Sequence, residues 1–250
     1  MLLPSPLQPG ILIRRYQRFL ADVELPDGTL VTAHCPNSGS MMGCAIPGSP
    51  VFLSLSNNPN RKYKYTWELV QTGNQWAGIN TGLPNRLVRE GIEDGTITEL
   101  QGYTRIRNEV PYGEHSRFDL LLEGARGPCF VEVKNVTLVT GRVALFPDSV
   151  TTRGQKHLTE LMRVVREGGR GVIFFTVQRG DSEAVAPADS IDPEFGRLLR
   201  LAVASGVEAL AYRARVTPQE IFIDLPLPVT LGGTTCPQSN SARQRRSPRG

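Results

Sequence analysis

The chain has 250 residues, 40% of them hydrophobic and 21% charged, long enough for one large domain or two small ones with real cores. Its longest strongly apolar run, GVIFFTV from Gly171 to Val177, falls far short of the roughly 20 residues a membrane helix needs. The net charge of +4 sits in the C-terminal tail, where Arg243, Arg245, Arg246 and Arg249 stand without an acid; the remaining body has 24 basic residues against 24 acidic ones, so overall basicity does not mark a nucleic-acid binder.

The first residues, MLLPSPLQPG, have prolines where a signal peptide carries a basic and then a continuous apolar region, so a cytoplasmic protein is expected. Cys35, Cys44, Cys129 and Cys236 are too few and too scattered for a disulfide framework, which fits a reducing compartment.

Residues 1–81 read as five short strands: ILIRRYQRFLADVEL from Ile11, TLVTAHC from Thr29, SPVFLSLS from Ser49, KYTWELVQT from Lys64 and QWAGIN from Gln75. Turn signals such as PDG at Pro26 and TGN at Thr72 separate them. Five curved strands in this length predict an OB-like barrel, an architecture with a nucleic-acid-binding face. Arg14, Arg15 and Arg18 flank Tyr16, and Arg61, Lys62 and Lys64 alternate with Tyr63 and Tyr65. Such cations neutralise phosphates while rings stack on bases. The same pattern also suits an exposed strand and loop with snorkelling side chains.

HCPNSGSMMGC, from His34 to Cys44, packs turn residues between two cysteines and a histidine. The cysteines are nine positions apart with no second Cys-x-x-Cys pair, so the reading is a long loop with turn chemistry; zinc and a phosphate cradle of backbone amides are the alternatives.

Residues 82–232 change rhythm. A helix NRLVREGIEDG from Asn85 leads to strands YTRIRNEV, SRFDLLLE and PCFVEVKNVTLV. A longer helix, TTRGQKHLTELMRVVREGG, follows, with Leu158, Leu161, Met162 and Val165 on one face and Gly168 and Gly169 at its end. GVIFFTV then reads as a buried parallel strand, followed by a helix from Asp192 and a strand from Glu208. From residue 233 onward the chain is rich in Ser, Pro, Gln and Arg and is expected to be a disordered basic tail.

In FVEVK, Glu132 and Lys134 are two apart on one strand and leave the same face, while Val131 and Val133 take the other. Asp119 lies on the preceding strand of the same hairpin, within reach of Glu132. Two converging carboxylates repel unless neutralised, and a hard cation such as Mg²⁺ does this with oxygen ligands. Such a metal activates water and stabilises phosphoryl charge, and Lys134 beside it would position or deprotonate the water, or balance the developing negative charge. The three residue types in this spacing fit phosphodiester hydrolysis, with Asp119 and Glu132 as metal ligands. An alternating strand with one wet face produces the same letters.

The order helix, three strands, helix, strand resembles the restriction-endonuclease-like fold, and Asp119 with Glu132-Val133-Lys134 resembles its PD-(D/E)XK motif, with Phe118 where proline is common. That resemblance implies a further group from the first turn of the second helix, Gln155 or Lys156, and an additional acid, Glu109 or alternatively Glu90. The blocks HCPNSGSMMGC, RKYKYTWEL, FPDSVTTRGQKHLTELM and VIFFTVQ, in that order, resemble the sugar fermentation stimulation protein A family over about residues 7–231. The resemblance implies an α+β chain, an OB-like barrel followed by a nuclease-like α/β domain, with DNA as partner and an influence on sugar use, maltose in particular. Two readings follow: a DNA-binding regulator whose nuclease-like fold serves as a binding surface, or a working Mg²⁺-dependent nuclease.

Overall fold

The computed structural model describes residues 1–113 and 116–232. The expected basic tail and Cys236 lie outside the described residues.

Alternation of buried and exposed side chains builds the first half. Strands β1 (Gln8–Tyr16), β2 (Leu20–Glu24), β3 (Leu30–His34), β4 (Pro50–Leu55) and β5 (Tyr65–Thr72) run in the order β3-β2-β1-β4-β5, and a parallel pairing of β3 with β5 closes them into a five-stranded OB barrel. A sixth strand, β6 (Gln75–Gly78), continues from β5 as a hairpin. Leu12, Val23, Ala33, Leu53 and Trp67 point inward and form the barrel core. Leu12, Val23 and Leu53 each contribute about 1.5–3 kcal/mol on burial, and a one-residue slip would turn the whole set outward. The run from Ile11, expected as one strand, is a hairpin. β1 turns into β2 at Gln17 and Arg18, whose φ values are 49° and 62°. That left-handed geometry is usually flagged by Gly or Asn, neither of which is present.

The second half keeps the expected order of helices and main strands and adds three short strands and a last one, Ile221–Pro226, that were not expected. Helix α1 (Pro84–Glu93) precedes the antiparallel strands β7 (Arg105–Tyr112), β8 (Ser116–Glu123) and β9 (Cys129–Val136). Two short strands, β10 (Leu138–Thr140) and β11 (Val143–Phe146), lead to α2 (Thr152–Arg166), and β12 (Arg170–Val177) then pairs parallel with β9. Strand β13 (Ala184–Pro187), helix α3 (Pro193–Ala204) and strands β14 (Glu208–Val216) and β15 (Ile221–Pro226) complete the domain. The large sheet has the order β15-β14-β12-β9-β8-β7. The apolar side of α1 packs on one face through Leu87, Val88 and Ile92, against Leu120, Val131 and Phe174. Leu158, Leu161, Phe195 and Leu199 of α2 and α3 cover the other, against Ile173 and Phe175.

β10, β11 and β13 form a separate small sheet that the sequence did not announce, because strands of three or four residues are too short to show a period. One buried carboxylate sets the starts of both long helices. Asp192 accepts the Phe195 N–H as the cap of α3 and also the N–H of Thr151, whose own Oγ1 accepts the Gly154 N–H at the start of α2.

Candidate active site

The α2 face of the large sheet carries the acidic residues. β9 presents Val131 and Val133 to the core beneath α1, so Glu132 and Lys134 emerge beneath α2. The β8–β9 ladder ends at Leu120 opposite Val131, and the next step places Asp119 opposite Glu132. There the Asp119 carboxylate, not the β8 backbone, takes the Val133 N–H: it donates to Oδ2 at 2.7 Å, while Asn85 Nδ2 of α1 donates to Oδ1 at 2.9 Å. On β7, flanking pairs Asn108–Leu120 and Val110–Phe118 put Glu109 opposite Asp119. Glu109 is exposed, has φ 52°, and lies 3.5 Å from both Asn85 Nδ2 and an Arg117 guanidinium nitrogen. Asp119, Glu132 and Lys134 therefore converge as the hairpin reading required, with Glu109 at the rim.

Glu132 is buried, and its two oxygens differ. Oε1 accepts Lys134 Nζ at 2.6 Å and is in hydrogen-bond contact with His157 Nδ1 of α2; Lys134 Nζ and His157 Nδ1 are 3.3 Å apart. Oε2 is buried with no partner among the described residues. Burial pushes the Glu132 carboxyl up, but the His157 hydrogen bond and the Lys134 charge together outweigh it and hold the group below its ordinary range. Asp119 goes the other way. Burial, then the neighbouring Glu132 charge, push it above its ordinary value against the Val133 and Asn85 hydrogen bonds.

His157 escaped the sequence reading. It belongs to the buried side of α2 with Leu161 and Val164, at i, i+4 and i+7, and a histidine on an apolar stripe was the available signal. Gln155, expected to reach the site, does not: its Nε2 donates to both Asp192 oxygens, at 2.9 and 3.1 Å. Lys156 is half-exposed on the outer side of α2, 3.6 Å from Glu160, and borders a groove beside the site. Glu90, the alternative acid, is committed to the Met1 amine at 2.9 Å and to Arg86 at 2.8 Å.

A cleft of about 570 Å³ opens above the carboxylates. Asp119, Glu132, Lys134 and Glu109 line one wall; Arg18, Asn37, Ser38, Gly39 and Thr81 of the barrel side line another. Of the six expected barrel cations, Arg18 alone borders it. Arg14 pairs with Asp22 at 2.8 Å over the Tyr16 ring, and Arg15 donates to the carbonyls of Asn37, Gly39 and Ser40. Arg61 lies near His34, Lys62 stacks over Tyr63 and Lys64 is exposed beside it, so these form a separate surface at the start of β5.

The loop from His34 to Cys44 borders the same cleft. Burial pushes the Cys35 and Cys44 thiols up, Cys35 Sγ lies 3.4 Å from Met41 Sδ, and Cys44 Sγ donates to the Thr137 carbonyl at 3.7 Å. They are core groups, and the Asn37–Gly39 segment between them forms the lip facing the carboxylates.

Among the described residues no set of three or more His, Cys, Asp or Glu forms a metal cage. Asp119 with the unpartnered Glu132 Oε2 nevertheless suits Mg²⁺, which is held by one or two carboxylates and keeps waters or substrate phosphates for its other positions.

Residues 13–79 match the model of the SfsA N-terminal OB domain, and residues 82–220 match that of the sugar fermentation stimulation protein RE domain. The sugar fermentation stimulation protein homologs of Geobacter metallireducens and Geobacter sulfurreducens are each 73% identical over 232 residues, covering 92% and 93% of this chain and 100% of each relative. A solved structure of Pyrococcus furiosus SfsA in complex with Ca²⁺ superposes with a TM-score of 0.84 at 30% identity, over 92% of this chain and 98% of that one. With its barrel and its α/β domain both matched in order, the chain belongs to the sugar fermentation stimulation protein family.

Proposed function

We propose that this protein binds DNA at the cleft between its two domains and hydrolyses phosphodiester bonds there with a divalent cation such as Mg²⁺. The observation that carries the reading is the buried Glu132 Oε2, left without a partner among the described residues, next to Asp119 on the wall of an open cleft. A buried acceptor of this kind costs stability unless something fills it, and two facing carboxylates favour a cation. When bound, the cation would lower the pKa of water and stabilise charge on the phosphoryl group. The chain's own residues prepare the place. Lys134 and His157 hold Oε1 and so orient Glu132; Asn85 and the Val133 N–H orient Asp119; Lys134 also supplies positive charge beside the developing phosphoryl anion. That the related Pyrococcus furiosus protein was solved with Ca²⁺, another hard oxygen-seeking cation, supports this choice of metal.

A purely binding protein, regulating sugar use through DNA, is favoured by one observation: Lys134 already pairs with Glu132 through Oε1, which His157 also contacts, without a metal. Incubation of pure protein with DNA oligonucleotides and Mg²⁺ or Mn²⁺, against an EDTA control, separates the two. Metal-dependent cleavage that disappears in Glu132→Gln is the expected result. Tight, salt-sensitive binding with no cleavage under any metal would leave only the regulator.

A further inference from the structure

We propose that the site takes one strand of DNA, as a single strand or a splayed end, and not continuous duplex; this names the substrate class of the phosphodiesterase reading and rests on it. Two cavities adjoin beside the carboxylates. The first is the cleft under the barrel; the second, about 830 Å³, runs between Glu109, Pro111, Ser116 and Arg117 of β7 and β8 and the start of α2 and reaches His157. Both are lined by Glu109, Thr152 and Arg153, so together they form one path past the reacting groups. Cations follow it, with Arg18 on the barrel side, Arg153 at the junction, and Arg117 and Lys156 beyond. The N–H groups of Thr152 and Arg153, in the first turn of α2, have no acceptor within their own helix and suit a phosphate oxygen at that junction.

The barrel side of the path is a fixed roof. Ser40 Oγ donates to the Asp148 carbonyl at 2.6 Å, and the Met41 N–H donates to Asp148 Oδ2 at 2.8 Å, which ties the lip to the second domain. From the barrel, Arg15 holds the Asn37 and Gly39 carbonyls at 2.8 and 2.9 Å. Gly39 approaches so closely that an added Cβ would lie 2.7 Å from the Asp148 carboxylate. Beneath this roof the side chains of Glu132 and Lys134 are 4% and 12% exposed. The carboxylates are thus recessed behind the lip in the cleft of about 570 Å³, and a duplex, which bends only over tens of base pairs, cannot bow its backbone inward to reach them as a flexible single strand can. A strand freed from its complement can curve along the path with its phosphates turned to the wall and its bases free to stack on the other side.

Fluorescence anisotropy with Ca²⁺ replacing Mg²⁺ tests this on labelled single-stranded, splayed-end and blunt duplex DNA of one length. Single-stranded and splayed DNA should bind about tenfold or more tighter than blunt duplex. Equal or tighter binding of blunt duplex overturns the proposal, as does no binding of any form. Arg153→Glu should weaken single-strand affinity about tenfold with an unchanged melting curve, since it adds one charge reversal at the junction; unchanged affinity removes the path. Hydrolysis of bis(p-nitrophenyl) phosphate with Mg²⁺ or Mn²⁺ follows the chemistry alone. Ester hydrolysis with duplex preference refutes the single-strand path and keeps the phosphodiesterase; strand selectivity without hydrolysis does the reverse.

Discussion

Glu132→Gln places one substitution where stability and chemistry diverge. Gln keeps the size of the side chain and a carbonyl acceptor, but removes the charge that Lys134 Nζ meets at 2.6 Å inside a pair whose side chains are 12% and 4% exposed. Taking one partner from a buried ion pair costs about 3–5 kcal/mol. Here the retained carbonyl still accepts Lys134, and repulsion of Asp119 is lifted, which brings the expected cost to about 2 kcal/mol. At about 2–4 °C per kcal/mol for a chain of this size, Tm should fall by about 4–8 °C at pH 7. The pH dependence has a definite sign. Glu132 is held below its ordinary value in the fold, so its stabilisation is complete above the unfolded value of about 4.3 and lost as pH falls through the lowered folded value. Wild-type and variant melting curves should therefore converge below about pH 4. Metal-dependent cleavage should drop by orders of magnitude, while DNA affinity in EDTA stays the same or rises with one less anion in the cleft. Thermal melts across pH, cleavage assays and anisotropy on the same preparation cover all three. Full cleavage by the variant, or a Tm gap that widens toward low pH, would refute the reasoning.

Asp119→Asn should behave oppositely in stability. Because burial and Glu132 raise the Asp119 carboxyl, its stabilising contribution exists below the unfolded value of about 3.9 and is lost as pH rises through the folded value, leaving a costly charge at pH 7. The variant keeps an oxygen for the Val133 N–H, and Asn85 must turn its amide to accept from the new N–H₂; with that turn the variant should match or exceed wild-type Tm at pH 7, the gap closing toward pH 4 or so, while Ca²⁺ affinity by calorimetry falls, and a Tm several degrees below wild type contradicts this. Arg15→Ala strips donors from the Asn37, Gly39 and Ser40 carbonyls and should cost about 2–3 kcal/mol, with faster hydrogen exchange at Gly39 and Met41. Unaltered exchange there would mean that the lip is held from the Asp148 side alone. Gln155→Ala loses only the bonds to Asp192, so about 1 kcal/mol of stability should go while cleavage stays near wild type. A cleavage defect as deep as that of Glu132→Gln would return Gln155 to the site.

The legible and illegible parts of this molecule differ by the kind of contact that makes them. Asp119, Glu132 and Lys134 were readable because a two-residue strand period and one hairpin decide which face each side chain leaves, and both rules are local. The barrel was readable for the same reason, apart from the β1–β2 turn, whose positive φ values fall on Gln17 and Arg18, side chains that carry no turn signal. Gln155 and His157 show where local rules stop. Both lie in the first half of α2, two positions apart and therefore some 200° apart around the helix axis. Which of them faces β9 depends on where the helix sits, and that is decided by Asp192 from forty residues away, accepting from Thr151 and Gln155 at once. With the start of α2 anchored there, Gln155 is spent on the anchor and His157 turns toward Glu132. The carboxylate that organises two helix starts thus also selects which α2 side chain reaches the site, a choice no spacing within α2 contains.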